Sequence, residues 1–171
     1  TLGYGYAEHG LHDAAVELWE KALQMNPDDD RLLHNLAIGH ELVGRTDIAK
    51  RYWGETLRRW QARIDADPDD VYLRNCIIEV RRHQGGQALH SEGKAKDPES
   101  SIREYLEILK INPNDFEAQY KIATAFYEQQ KWPEAIKALA NLMKAYPKNV
   151  EVLNMLGWSL LQSGQIEQAF Q

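Results

Sequence analysis

Cysteine is almost missing from this chain of 171 residues. The single Cys76 excludes an internal disulfide framework, and with no histidine placed to activate it the thiol reads as half-buried helix packing, not as a nucleophile. Long apolar runs are missing too. Although 43% of the residues are hydrophobic, uninterrupted runs last only a few residues, against the roughly 20 that a membrane helix needs. No basic-then-apolar leader opens the sequence. Direct membrane insertion is therefore not expected; the lone cysteine leaves the compartment open, with the cytoplasm favoured.

The usual marks of catalysis are missing as well. The run GGQALHSEGK has six residues between Gly86 and Gly93, and Ala95 follows Lys94; a phosphate cradle needs four residues there and a hydroxyl after the lysine. His9 and His12, and His34 and His40, share segments without a cysteine or carboxylate at a zinc spacing. No strand pattern suggests a βαβ unit, and no serine elbow or carboxylate pair stands out. The expectation is a non-enzyme with no cofactor and no metal.

The net charge of −6 is uneven. Residues 1–44 carry −6, residues 45–96 carry +3 and residues 97–171 carry −3. Arg58, Arg59, Arg63, Arg81 and Arg82 make the middle basic, a patch open to an acidic partner or simply a solvated helix face. A nucleic-acid binder carries a more basic balance, so no nucleic-acid partner is expected.

What the chain does have is recurrence. Pro27, Pro68, Pro113 and Pro147 close the phrases EKALQMNPDD, RIDADPDD, EILKINPND and NLMKAYPKN, each an apolar-striped segment followed by a polar stop. The proline spacings are 41, 45 and 34 residues: one period of a helix-turn-helix repeat, and that period lengthened by 7 and by 11. Such an array coheres through neighbouring units and not through one round core. Asp30, Asp70, Asp115 and Asn149, or their immediate neighbours, stand where first helices begin and suit an N-cap. Pro98 and Pro133 fall where second helices start, which tolerate proline in the first turn.

Small and large residues alternate at helical spacing: Gly3, Tyr6, Gly10, Ala15, Trp19 and Ala22 before Pro27, then Leu33, Leu36, Ala37, Gly44, Ala49, Trp53 and Leu57. Ile122, Ala123, Phe126, Ala135, Leu139 and Leu142, and then Leu153, Leu156, Gly157, Leu160, Gly164 and Ala169, repeat the pattern. This arrangement resembles the tetratricopeptide repeat family over roughly nine-tenths of the chain, because in-register repeats of this kind are a specific signature. The resemblance implies an all-α, right-handed α-solenoid of antiparallel helix pairs forming one array, with units at about 1–29, 30–70, 71–115, 116–149 and 150–171. Unit three departs: Leu73, Ile77, Ile78, Tyr105, Ile108 and Leu109 fit, but Ser101 replaces the usual alanine.

Two insertions, at about 58–66 and 85–96, belong to the lengthened spacings. The series Trp53, Leu57, Trp60 and Ile64 keeps helical spacing through the first, so that helix is expected to run to about Ala66. Gly85 and Gly86 in the second favour a helix ending near Gln84 and an exposed loop with a turn around Ala88 and Leu89; the alternative is a first helix longer by two turns. The sequence starts within a first helix at Thr1 and stops within a second at Gln171, which predicts a piece of a longer protein with further helices on at least one side.

In the solenoid that the resemblance implies, first helices line a concave groove. The candidate partner-binding residues are Tyr4 in unit one, His34 and Ile38 with Glu41 in unit two, Tyr72, Asn75, Glu79 and Arg82 in unit three, Tyr120, Thr124 and Tyr127 in unit four, and Asn154 and Trp158 with Leu161 in unit five. Aromatics beside amides suit a peptide, since they bury area at low entropy cost. Some family members grip chaperone C-terminal carboxylates with lysine, arginine and asparagine. Asn35 matches one such position, but Tyr4, His34, Asn75 and Tyr120 do not supply the rest, which points to a different peptide or a folded partner. The expected function is a protein-binding scaffold. The alternatives are self-assembly into a homo-oligomer through the ends or the extended helix, and an array that holds substrates for a larger enzyme such as a glycosyltransferase.

Overall fold

A computed structural model describes residues 10–90 and 97–164. Eight helices occupy them: α1 (His12–Met25), α2 (Asp30–Leu42), α3 (Thr46–Ala66), α4 (Val71–His90), α5 (Pro98–Ile111), α6 (Phe116–Glu128), α7 (Trp132–Ala145) and α8 (Val150–Gln162). No strand occurs among the described residues, so the fold is all-α, as the 3.6-residue periodicity requires. Turns of three or four residues join α1 to α4 and α5 to α8.

The recurring phrase works as a helix start. The second residue after each proline caps the next helix: Asp29 accepts from the Arg31 N–H at 3.0 Å, Asp70 from Leu73 at 2.8 Å, Asp115 from Ala118 at 2.9 Å and Asn149 from Val152 at 3.0 Å. Each satisfies an amide that has no partner inside its helix. The first of these caps is Asp29, one residue before the expected Asp30. Asp97 caps α5 in the same way, at 2.9 Å from the Ser100 N–H, with Pro98 at the first helical position.

The turns within the pairs are closed from the other side. Gly44 takes a left-handed φ of 78° between α2 and α3, and the Arg45 N–H reaches back to the His40 carbonyl at 2.8 Å. Between α6 and α7 the same closure, from the Lys131 N–H to the Phe126 carbonyl at 3.0 Å, is built without glycine: Gln130 holds φ at 57°.

Two compact units follow, Thr1–Ile77 and Ile78–Gln171, and the division falls inside α4. In the first, Ala15, Val16, Trp19 and Leu36 form a cluster with Leu23, Leu32 and Tyr52 packed on it. Close approach needs a missing side chain: a Cβ on Gly39 would lie 2.7 Å from Val16 Cγ2. Trp53, Leu57, Trp60 and Ile64 are all buried along α3, which runs to Ala66 as their spacing predicts.

In the second unit, Ile78, Tyr105, Ile108, Ala118 and Ile122 make one cluster, and Ala123, Ala135, Leu139, Leu142, Val152, Leu156 and Leu160 another. Here the structure corrects the expectation of a helix ending near Gln84. Helix α4 continues through both glycines to His90, the longer alternative. The physical reason is packing: a Cβ on Gly85 would sit 2.9 Å from the ring of buried Tyr105. Gly85 is there to admit that ring and not to stop the helix.

Candidate functional site

In the unit Ile78–Gln171, side chains of α4 pair with α6, and those of α6 reach α8. The Arg82 guanidinium on α4 donates to Glu79 one turn earlier at 2.7 Å and to Asp115 at 2.7 Å, and it pairs with Glu117 on α6 at 3.0 Å. One cation thus stands among three carboxylates. Asp115 is also the cap of α6, so the same carboxylate fixes the helix start and its position beside α4.

Further along α6 the row is aromatic. Tyr120 stacks on Phe116 with centroids 5.7 Å apart, and Phe116 meets Tyr146 edge-on at 4.8 Å. Burial and the Glu151 carboxylate on α8 push the Tyr120 hydroxyl above the ordinary phenol range, which puts Glu151 within electrostatic reach of it. Tyr127 meets Trp132 edge-on at 5.4 Å and packs against the cluster below. Between them the Thr124 hydroxyl is used locally, donating to the Tyr120 carbonyl at 2.9 Å.

Helix α8 offers the open part. Trp158 is 50% exposed, Asn154 is exposed, and Leu153 and Leu161 show 42% and 37% of their surface. Large apolar side chains at positions 150, 153, 158 and 161 form a stripe on the helix that bears the exposed indole. Of the residues expected on the inner rows, Glu79, Arg82, Tyr120, Thr124, Tyr127, Asn154 and Trp158 therefore lie on three helices of one unit. Tyr120 and Tyr127 serve as half-buried supports and Trp158 as the exposed ring.

The other candidates lie in the first unit. His34 is held by rings, edge-on to Trp53 at 5.3 Å and stacked on Trp60 at 5.5 Å, and burial lowers its pKa. The indole N–H of Trp53 reaches Glu41 at 3.4 Å. Ile38 is 37% exposed, and Tyr72 and Asn75 are exposed on the first turns of α4. Asn35, which matches a chaperone-clamp position, is buried within its helix packing. Tyr4 lies outside the described residues.

The basic patch dissolves into ion pairs. Arg58 and Arg59 both bind Glu55, whose carboxyl they hold down at about 2. Arg59 also donates to the Pro27 carbonyl at 2.7 Å, Arg63 to Asp30 at 3.2 Å, and Arg81 to Glu104 at 2.8 Å. No helix among the described residues is long and apolar enough to cross a membrane.

Sequence reasoning missed Glu117 and Asp115 as parts of the site. Asp115 stands 33 residues after Arg82 in a unit whose prolines are 45 residues apart, so the repeat spacing alone did not bring the two together and only the packing of α6 beside α4 shows the pair.

The comparisons with known proteins agree with this architecture. The sequence model of the tetratricopeptide repeat matches residues 87–149 and 120–171. The peroxisomal targeting signal receptor of Candida albicans (strain SC5314) is 22% identical over 98% of the chain, which spans 27% of that receptor's length. Among solved structures, MamA AMB-1 superposes with a TM-score of 0.61 at 18% identity, covering 98% of the chain and 81% of that protein, and a further MamA crystal structure gives 0.57 at 15% identity, covering 98% and 82%.

Proposed function

The chain belongs to the tetratricopeptide repeat family, and from that premise we propose that it is a non-catalytic scaffold which binds a peptide or protein partner on the inner rows of α4, α6 and α8. The observation that carries this reading is Trp158, a large ring half open to solvent and flanked by exposed Asn154 and Leu161. An indole that keeps half its surface in water forgoes about half of a burial worth roughly 25 cal/mol per Å² of apolar area, and a partner recovers it. Tyr120 and Tyr127 are already braced by Phe116 and Trp132, so they lose little freedom when something docks on them.

The polar groups around these rings suit binding better than chemistry. Arg82 is taken up by its three carboxylates and Thr124 by its own helix, so both hold the rows in place. The Candida albicans relative, 27% of whose length the chain matches, is named a targeting signal receptor, which supports a protein-binding reading.

The test is the double variant Tyr127→Ala and Trp158→Ala, used to retain partner proteins on an affinity matrix beside the wild type. Partner retention should fall at least ~10-fold, as for loss of a central aromatic pair, while the helical circular dichroism stays within a few per cent of wild type. Unchanged retention by a folded double variant would exclude this face.

A further inference from the structure

Resting on that reading, we infer that the partner segment is cationic: an extended or helical peptide that places lysine or arginine beside apolar residues. The apolar face supplies the site, and its charge selects the occupant. Along these rows Glu79, Glu117 and Glu151 stand against Arg82, with Lys121 beside Tyr120 as the other cation on α6. The charge of Arg82 is more than spent. Buried Asp115 and the outer carboxylates of Glu79 and Glu117 share it, which leaves two negative charges in excess.

Glu151 adds to that excess on α8, where it is exposed. The carboxylates and rings are interleaved: Glu117 lies one turn before Tyr120 on α6, and Glu151 two turns before Trp158 on α8. An ammonium or guanidinium group laid across these rows meets a carboxylate at one end and a ring face at the other. Both favour a cation. An anionic segment meets uncompensated carboxylates, with Arg82 already shared among three of them. This is the reverse of a basic clamp for terminal carboxylates.

Three fluorescein-labelled peptides of equal length test it. Each is built from phenylalanine and serine, with lysine, glutamine or glutamate at every third position, and binding is read by anisotropy at low and high salt. The lysine peptide should bind at least ~10-fold more tightly than the glutamate peptide, and the advantage should shrink several-fold near 0.5 M salt, as screening shortens to about 4 Å. The double variant Glu79→Lys and Glu151→Lys changes two exposed groups and leaves Arg82 its pairs with Asp115 and Glu117. It should cancel the preference, whereas Glu107→Lys with Glu134→Lys on α5 and α7 should not.

Equal affinity for all three peptides, no binding of the lysine peptide, or a preference that survives Glu79→Lys and Glu151→Lys overturns the inference. Equal affinities that are lost together in the Tyr127→Ala and Trp158→Ala variant would leave the peptide-binding face standing and remove only its charge selectivity.

Discussion

Ser101 shows how much a single position can hold. It stands where the repeat pattern has alanine, and it is fully buried with a hydroxyl that finds no hydrogen-bond partner among the described residues. Because an unsatisfied buried hydroxyl costs about 1–3 kcal/mol, Ser101→Ala should raise the stability of the unit by about 1 kcal/mol, read from the denaturant midpoint. No change, or a loss, would mean that the hydroxyl is satisfied. The departure was visible in the sequence; its burial was not, since only packing around the start of α5 decides it. Gln130 was the opposite case, because nothing in a turn read as QQKWPE declares which residue takes the left-handed conformation.

At the scale of the helix, α4 separates what periodicity reveals from what it hides. The lengthening of α3 was legible because Trp53, Leu57, Trp60 and Ile64 keep one face through it. The matching extension of α4 was not, because adjacent glycines read as a stop unless one knows that a ring lies against one of them. The two glycines should consequently respond in opposite directions. Gly85→Ala drives a methyl into Tyr105 and should destabilise by about 1–3 kcal/mol. Gly86→Ala meets nothing within 4 Å and should stabilise by about 0.5–1 kcal/mol through helix propensity. Urea unfolding of both variants checks the pair, and similar shifts of like sign would refute the packing explanation. The ion cluster ties α4 to α6 in the same manner. Arg82→Ala leaves the buried Asp115 carboxylate without its cation, so a loss of about 1–3 kcal/mol is expected, less than for a fully buried pair because Arg82 and Glu117 reach solvent.

Across the whole molecule, the polar contacts carry the repeat. Arg45 with Asp13, Lys131 with Glu99 and Arg59 with the Pro27 carbonyl are 32 residues apart, and Arg63 with Asp30 and Arg82 with Asp115 are 33 apart. The all-α class and the proline punctuation could be read directly from the sequence, since both depend on local spacing. The partners of individual side chains could be read only by laying one repeat beside the next. The titration behaviour is less regular, because half-buried His34 and buried His40 both lie in Thr1–Ile77. Burial lowers the pKa of both His34 and His40, the latter stacked on Tyr52 at 5.3 Å with Glu20 at 3.3 Å. The unfolded chain therefore takes up protons that the folded unit resists. Stability should be flat above about pH 6.5 and should fall as the pH drops below it. His40→Phe should flatten part of that slope in urea titrations from pH 7 to 5; an unaltered slope would assign it elsewhere. The central claim, that a partner lies on the inner rows, is met most directly by site-specific photo-crosslinking. With a benzophenone amino acid placed at Trp158, at Thr124 or at exposed Lys137 on α7, a bound partner should be captured from positions 158 and 124 and not from 137. Capture from 137 in preference to the other two would contradict the account.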